Sequence, residues 1–319
     1  MPINRRRAAA VAAALPWATW AAVRLTGAER GFPAVPALTF TPHAAATVVV
    51  PIGLALRARS RAGLLMSAGA GAALAGAVPA RRGATAPPHP DGVPLRVATV
   101  SLRLGLVAAG PVLDLVGRFD VDVLSMQELT PEAEERLRAA GIDALLPYSS
   151  VVPARPGAPP AASGAVWSRR PLRPQGAVPG GFEQPTVVLD GAGGREVELT
   201  AVHITPPLTS AELVRGWEGD LAGLPSPAPG VLRVLAGDFN ASFDHASFRR
   251  LLARGYTDAA RAVGRARVWT WAPLRPRFPR LTIDHVLVDP RIAVAAVEVV
   301  AIEGSDHRSV VATLVVPRN

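Results

Sequence analysis

Three long stretches near the start of the chain, residues 8–23, 34–56 and 62–80, contain no charged side chain, and they constrain the fold more than any other feature. A helix that crosses a bilayer needs about 20 predominantly apolar residues, within a range of roughly 17 to 25. The second and third stretches meet that length and the first is marginal. The third is rich in Gly and Ala, which suits close helix packing in a bilayer. Three transmembrane helices are therefore expected within residues 1–82. A cleaved signal peptide is the alternative for the first stretch, because Arg5, Arg6 and Arg7 precede an apolar run, but it leaves the next two stretches unexplained.

Charge sharpens this division. The chain holds 34 basic residues, all arginine, against 25 acidic ones, for a net charge of +9. As a total, that invites a nucleic-acid reading. Residues 1–92 carry ten arginines against Glu29 and Asp91, a balance of +8, which leaves 24 against 23, or +1, for the rest. A nearly neutral domain argues against duplex DNA, whose binding depends on many phosphate contacts. By the positive-inside rule, Arg5, Arg6 and Arg7 together with Arg57, Arg59 and Arg61 mark the cytoplasmic side, against Arg24, Arg30, Arg81 and Arg82. Six against four puts everything after residue 80 outside the cytoplasm, so a multi-pass protein of the cell membrane is expected. The absence of cysteine excludes disulfides, thiolate metal sites and cysteine nucleophiles. Any metal must then sit on oxygen or nitrogen ligands.

Residues 83–94 are rich in Pro and read as a linker. The remaining 95–319, about 225 residues, fits a single domain. Short apolar runs at 95–100, 121–126, 165–167, 197–204, 231–235, 282–288 and 309–316 read as strands, several apolar on both faces, as in a sheet covered on both sides. Thr130 and Pro131 open a helix that Gly141 closes, and Ser210 caps another that ends near Gly223. The class is α/β or α+β, with no internal repeat, P-loop or GxGxxG.

Five of these strands end in, or lead into, residues that hold metals or move protons: Gln127-Glu128, Val202-His203, Gly237-Asp238-Phe239-Asn240, Ile283-Asp284-His285 and Ser305-Asp306-His307. Strand ends at one sheet edge converge in space, so residues far apart in sequence can build one site. Asn240 is one of only three asparagines in the chain, with Asn4 and Asn319. In this order the five segments, with Trp167-Ser168-Arg169-Arg170-Pro171 as an SRxP-like piece, resemble the endonuclease/exonuclease/phosphatase superfamily of DNase I-like fold. The resemblance covers nearly all of 95–317.

That resemblance implies a four-layer sandwich of two mostly antiparallel sheets flanked by helices, and divalent-metal-dependent cleavage of phosphate esters with Mg2+ or Mn2+. It places Glu128 and Asp306 at the metal, Asp238 and Asn240 on the attacking water and scissile phosphate, and His203 and His307 on phosphate oxygens. It also pairs Asp284 with His307. The chemistry is coherent: a hard cation takes carboxylates and substrate oxygens and neutralises charge on the phosphoryl group. A carboxylate beside an imidazole fixes its tautomer. One position departs from the family pattern: Ser101 ends the first strand where Asn is usual, and a serine reaches a metal only through water.

Each residue also has a bland role. Asp and Asn in a turn often only bond local backbone, a half-buried His203 can be purely structural, and Glu128 can serve a helix dipole. His245 and His285 read as structural or solvated. Residues 261–280 hold six arginines with Trp269, Trp271 and Phe278. They form either an ordered surface loop with Trp anchors in the core, or a substrate-facing loop whose arginines hold phosphate oxygens or anionic lipid headgroups. The leading expectation is a membrane-anchored phosphoesterase acting on a phospholipid headgroup, nucleotide or nucleic acid, with no obligate protein partner evident. The alternative is a non-catalytic membrane protein that keeps the fold as a binding module.

Overall fold

Alternate side chains of β1 (Val93–Ser101) enter two different cores: Leu95 and Val97 face a second sheet, while Ala98 and Val100 face helices. This is why the strand carries apolar residues on both faces. The computed structural model of the chain describes residues 2–77, 91–192, 194–276 and 278–318. Most of the expected linker, 83–90, together with Arg81 and Arg82, lies outside the described residues.

The first sheet has the order β11-β12-β1-β2-β4-β3, with β2 at Val123–Gln127, β3 at Tyr148–Val152, β4 at Gly164–Ser168, β11 at Ala293–Ala301 and β12 at Arg308–Val316. The second has the order β5-β6-β7-β8-β10-β9. Its strands are β5 (Leu172–Val178), β6 (Gln184–Ala192), β7 (Arg195–His203), β8 (Leu232–Asp238), β9 (Thr257–Asp258) and β10 (Asp284–Val288). Within each sheet one central pair is parallel, β1 with β2 and β7 with β8, and the other pairs are antiparallel. Val97, Val123 and Val166 meet Val187, Leu199 and Val234 between the sheets. Helices α6 (Ala109–Arg118) and α7 (Pro131–Ala139) cover the first sheet, and α9 (Ala211–Gly223) and α10 (Ala246–Ala253) cover the second. The result is the expected α/β sandwich of four layers. Thr130 caps α7 by accepting from the Ala133 N–H at 3.2 Å, and Ser210 caps α9 by accepting from the Leu213 N–H at 3.1 Å.

All seven expected strands are present. Of the others, β3, β5, β9 and β11 are sheet edges. An edge strand need not be apolar on both faces, and β5 carries Pro174 and Gly176 with most of its side chains exposed.

The N-terminal part departs from three straight spans. Helix α1 (Pro2–Thr26) is long and apolar enough to cross a membrane over Asn4–Thr26. The second stretch is broken into α2 (Ala34–Ala37), a 3-10 turn, α3 (Thr41–Thr47) and α4 (Val49–Arg57), with a 43° bend between Ala34–Thr47 and Val49–Arg57. Pro51 explains the break at Val48: it cannot donate to the Thr47 carbonyl, and its ring collides with that carbonyl in a continuous helix. The bent pair counts as a second span only if both halves are taken together. The third stretch forms α5 (Arg61–Ala77), 17 described helical residues, at the lower end of the range for a span, and residues 78–80 of that stretch lie outside the described residues. It packs along α1, where a Cβ on Gly63 would lie 3.2 Å from the Ala10 backbone.

Ser60 Oγ donates to the Arg7 carbonyl at 3.3 Å, and Arg7, Arg59 and Arg61 border one cleft, so the two arginine clusters sit at the same end of this helical unit. The other end docks on the sandwich. Arg24 Nε reaches Asp244 at 2.9 Å with both side chains buried, and Arg24 Nη2 donates to the Phe243 carbonyl. Glu29 accepts the backbone N–H of Ala246 at the start of α10, and Val35 is fully buried in the same core as Trp217 and Phe239. Arg24 is therefore neutralised by a partner and drops out of the arginine count that set the expected orientation.

His245 holds this joint as a neutral ring, as its structural reading expected. Its Nδ1 accepts the Ser242 N–H at 2.9 Å, which leaves Nε2–H to donate to the Val35 carbonyl at 3.1 Å. Burial, with Arg249 and Arg24 nearby, outweighs the Val35 carbonyl and lowers its pKa to about 4. The unfolded ring titrates near 6.5, so between these values the unfolded chain binds more protons and stability rises with pH. Acidification from pH 6.5 towards 4 is thus expected to remove up to roughly 3 kcal/mol. Unfolding of the full chain against pH checks this: His245→Gln should lessen the slope in that window by the contribution of one proton, and an unchanged profile would refute the assignment.

Candidate active site

The parallel pairs end side by side, and the antiparallel neighbours begin there, so one rim of the sandwich collects every expected site residue. His203 closes β7 opposite Asp238, which closes β8, and Asp238 pairs in register with Asp284 at the start of β10. Glu128 follows β2, and Asp306 and His307 precede β12. Glu128, His203, Asp238, Asn240, Asp306 and His307 line one pocket of about 370 Å³. Asp284 lies behind His307.

Local backbone at this rim is unusual in ways that suit a site. Gly237 has φ +146°, and a Cβ there would lie 2.0 Å from the Val202 carbonyl oxygen, so the strand crossing beside Asp238 requires glycine. Glu128 (φ 56°) and Asn240 (φ 46°) occupy the left-handed region that non-glycine residues enter at a cost.

The Asp238 carboxylate accepts twice from one residue, from the Asn240 backbone N–H at 2.8 Å and from Asn240 Nδ2 at 3.0 Å. Asn240 Nδ2 also donates to the Ile204 carbonyl at 2.8 Å, which locks the amide. Burial, and then the neighbouring Asp284 carboxylate, push the Asp238 carboxyl well above the usual range. His307 Nδ1 donates to Asp284, 3.0 Å from each carboxylate oxygen. Burial disfavours the charged ring, but Asp284, Asp238 and Asp306 overcome it and raise the His307 pKa to about 10. His203 is the opposite case. Burial first, then His307, lowers it to about 3, and it stacks on Phe182 with ring centroids 4.3 Å apart and leaves Nδ1 without a partner. The site thus pairs one charged imidazole with one neutral imidazole.

Glu128 accepts the Leu104 N–H, and burial raises its pKa. Asp306 is held by a residue outside the expected set: Trp271 Nε1 donates to its Oδ2 at 3.1 Å, and the Ala272 N–H to its carbonyl at 3.0 Å. Trp271 and Trp269 are half-buried rather than core anchors. Trp269 carries the Arg308 guanidinium 3.8 Å above its ring, with Arg280 at 5.3 Å. No arginine of the 261–280 loop lines the pocket among the described residues. The paired tryptophans signalled that the loop matters, but not which carboxylate Trp271 would hold. His285 is structural, bonded to Asp258 at 2.8 Å and to the Ala241 carbonyl at 2.9 Å.

The donor set fits a hard divalent cation. Asp238, Asp284 and His307 present ligand atoms within 4.8 Å of one another, and Glu128 and Asp306 share their pocket. Buried oxygens at the same rim, Ser101 Oγ and Gln127 Oε1, have no hydrogen-bond partner. His307 Nδ1 is already committed to Asp284, so the oxygen-only pair Glu128 and Asp306 suits Mg2+ or Mn2+ better than the trio does.

The chain belongs to the Endonuclease/Exonuclease/phosphatase family, whose model matches residues 103–307. Members of that family are typically hydrolytic phosphoesterases and generally depend on a divalent metal. Among solved structures the chain is similar to an endonuclease/exonuclease/phosphatase from Beutenbergia cavernae DSM 12333, at 20% identity and TM-score 0.53, over 70% of this chain and 72% of that one. It is also similar to humanized D. rerio TDP2, at 14% identity and TM-score 0.52, over 69% of this chain and 98% of that one. A family protein from Leptotrichia buccalis C-1013-b matches at 14% identity and TM-score 0.50, over 69% and 99%. At such identities these likenesses speak for the fold. No curated protein matches the chain.

Proposed function

We propose that this chain is a membrane-anchored, divalent-metal-dependent phosphoesterase whose catalytic domain, 95–319, is held outside the cytoplasm by an anchor in residues 1–82 through the linker 83–94. The observation that carries it is the convergence of Glu128, His203, Asp238, Asn240, Asp306 and His307 on one pocket, with Asp284 bonded to His307. Asp238, oriented by Asn240, takes the proton of the attacking water and holds that water in line with the scissile bond. His307, fixed through Nδ1 by Asp284, presents its other nitrogen to a phosphate oxygen, and neutral His203 donates to another. Glu128 and Asp306 would hold Mg2+ or Mn2+, which when bound supplies positive charge against the phosphoryl oxygens.

The arrangement of the helical unit supports the orientation. Arg7, Arg59 and Arg61 gather at the end away from the sandwich, and positive charge retains loops in the cytoplasm. Use of Arg24, Glu29 and Val35 by the sandwich argues for retention of α1 over cleavage.

The full chain in detergent micelles, given bis(p-nitrophenyl) phosphate with Mg2+ or Mn2+, tests the activity. Turnover should exceed that of a chelated sample by about tenfold or more and return when metal is restored. Metal-independent turnover would overturn the metal assignment. Absence of turnover on this ester and of any divalent-ion binding would favour the binding-module reading, which the serine at position 101 also accommodates.

A further inference from the structure

The pocket is walled by its own anchor. Pro36, Thr39 and Phe40, from the segment between α1 and α3, line it opposite the carboxylates and histidines, and Phe182, Leu281 and Ile283 continue the apolar side. This wall is fixed in place by the buried Arg24–Asp244 pair, the His245 bond to Val35 and the Thr39 contact to Ser242 at 3.4 Å. Phe40 also borders a second, apolar cleft of about 300 Å³ between α1 and α3, lined by Trp17, Trp20 and Ala44. Trp17 Nε1 donates to the Ala44 carbonyl at 3.1 Å and Trp20 Nε1 to Thr41 Oγ1 at 3.0 Å, so the indole N–H groups are satisfied and their rings are left to face the cleft. Phe40 is therefore shared by the lining of the site pocket and of an apolar cleft on a helix long enough to span a bilayer.

The lining of the pocket argues against a nucleic-acid strand. A site that tracks nucleic acid lines its groove with cations and stacks successive bases. Here, among the described residues, no arginine lines the pocket in a chain that has 34 basic residues. Acidic and histidine side chains for a phosphate, an apolar wall, and an apolar cleft on the membrane helix together suit a lipid. We propose that the substrate is a membrane-lipid phosphate ester, its phosphate at Asp238 and His307 and its apolar chain passing Phe40 into the Trp17–Trp20 cleft. This rests on the phosphoesterase reading above. In the reaction the water oxygen bonds to phosphorus as one P–O ester bond breaks, and the proton lost by water ends on the departing oxygen. A phosphodiester lipid and water give an alcohol and a phosphomonoester.

The test compares dibutyroyl- and dihexanoyl-phosphatidylglycerol, both below their critical micelle concentrations, with bis(p-nitrophenyl) phosphate and a short single-stranded oligonucleotide, using the full chain, Ala44→Phe and Asp238→Asn. The expected result is a kcat/KM that rises by about tenfold or more with the longer chains, as buried methylene groups add binding. The gain should be lost in Ala44→Phe, whose ring fills the cleft. If Ala44→Phe does not fold, the chain-length series alone decides. A flat series, a gain that survives Ala44→Phe, or faster cleavage of the oligonucleotide, each with turnover sensitive to Asp238→Asn, would overturn the lipid assignment and leave the phosphoesterase standing. No Asp238-sensitive turnover of any ester would remove both.

Discussion

Asp238→Asn should reduce phosphate-ester turnover by about 10²- to 10⁴-fold, the contribution of a positioned general base, while the melting temperature of the full chain stays within a few degrees of the parent or rises. The substitution keeps the shape of the side chain and removes its charge. Asp238 lies buried beside Asp284, and burial followed by that carboxylate already pushes its proton affinity well above the usual range. A buried like-charge pair costs stability that a neutral amide does not. Against that gain stands one lost acceptance, because the new NH2 faces either the Asn240 N–H or its Nδ2. The two effects are of similar size and opposite sign, so stability barely moves while chemistry collapses. A variant that keeps more than about a tenth of its turnover would displace Asp238 from the role of base. A variant that loses turnover together with its cooperative melt would make the residue structural.

The second large effect concerns the joint between the helical unit and the sandwich. Arg24→Ala removes the 2.9 Å ion pair to the fully buried Asp244, and breaking one side of a buried pair costs about 3–5 kcal/mol. Denaturant unfolding of the full chain in micelles measures this. Arg24→Met combined with Asp244→Leu should recover most of the loss, because it removes both charges from the apolar joint. A single variant that loses less than about 1 kcal/mol would put the pair in the class of exposed ion pairs. Because Thr39 and Phe40 form part of the pocket wall, limited proteolysis between residues 27 and 43 should accelerate in Arg24→Ala in parallel with the loss of stability.

Much of the sandwich was legible because its information is local. Strands buried on two faces carry apolar residues on both, Thr130 and Ser210 cap the helices that follow them, and the site residues fall at the ends of apolar runs. The edge strands β3, β5, β9 and β11 escaped because an edge has only part of its surface to bury, and β5 even tolerates Pro174. The helical stretches were legible in length but not in shape. Pro51 breaks the second of them, and a count of apolar residues is blind to where a proline removes a hydrogen bond.

What the sequence by itself determined is therefore the material of the protein: apolar strands, polar strand ends, a charge excess concentrated in the first 92 residues and the absence of cysteine. What only the tertiary structure decided is which of these meet. Arg24 looked like a vote about membrane orientation and became the partner of Asp244, 220 positions away. Trp271 looked like a core anchor of a surface loop and holds Asp306, while Phe40 looked like part of a span and walls the pocket. Local pattern sets which face of a strand or helix is apolar, but the partner of that face is chosen by packing among all the elements at once. Residues joined only by that packing leave no periodicity in the chain to read.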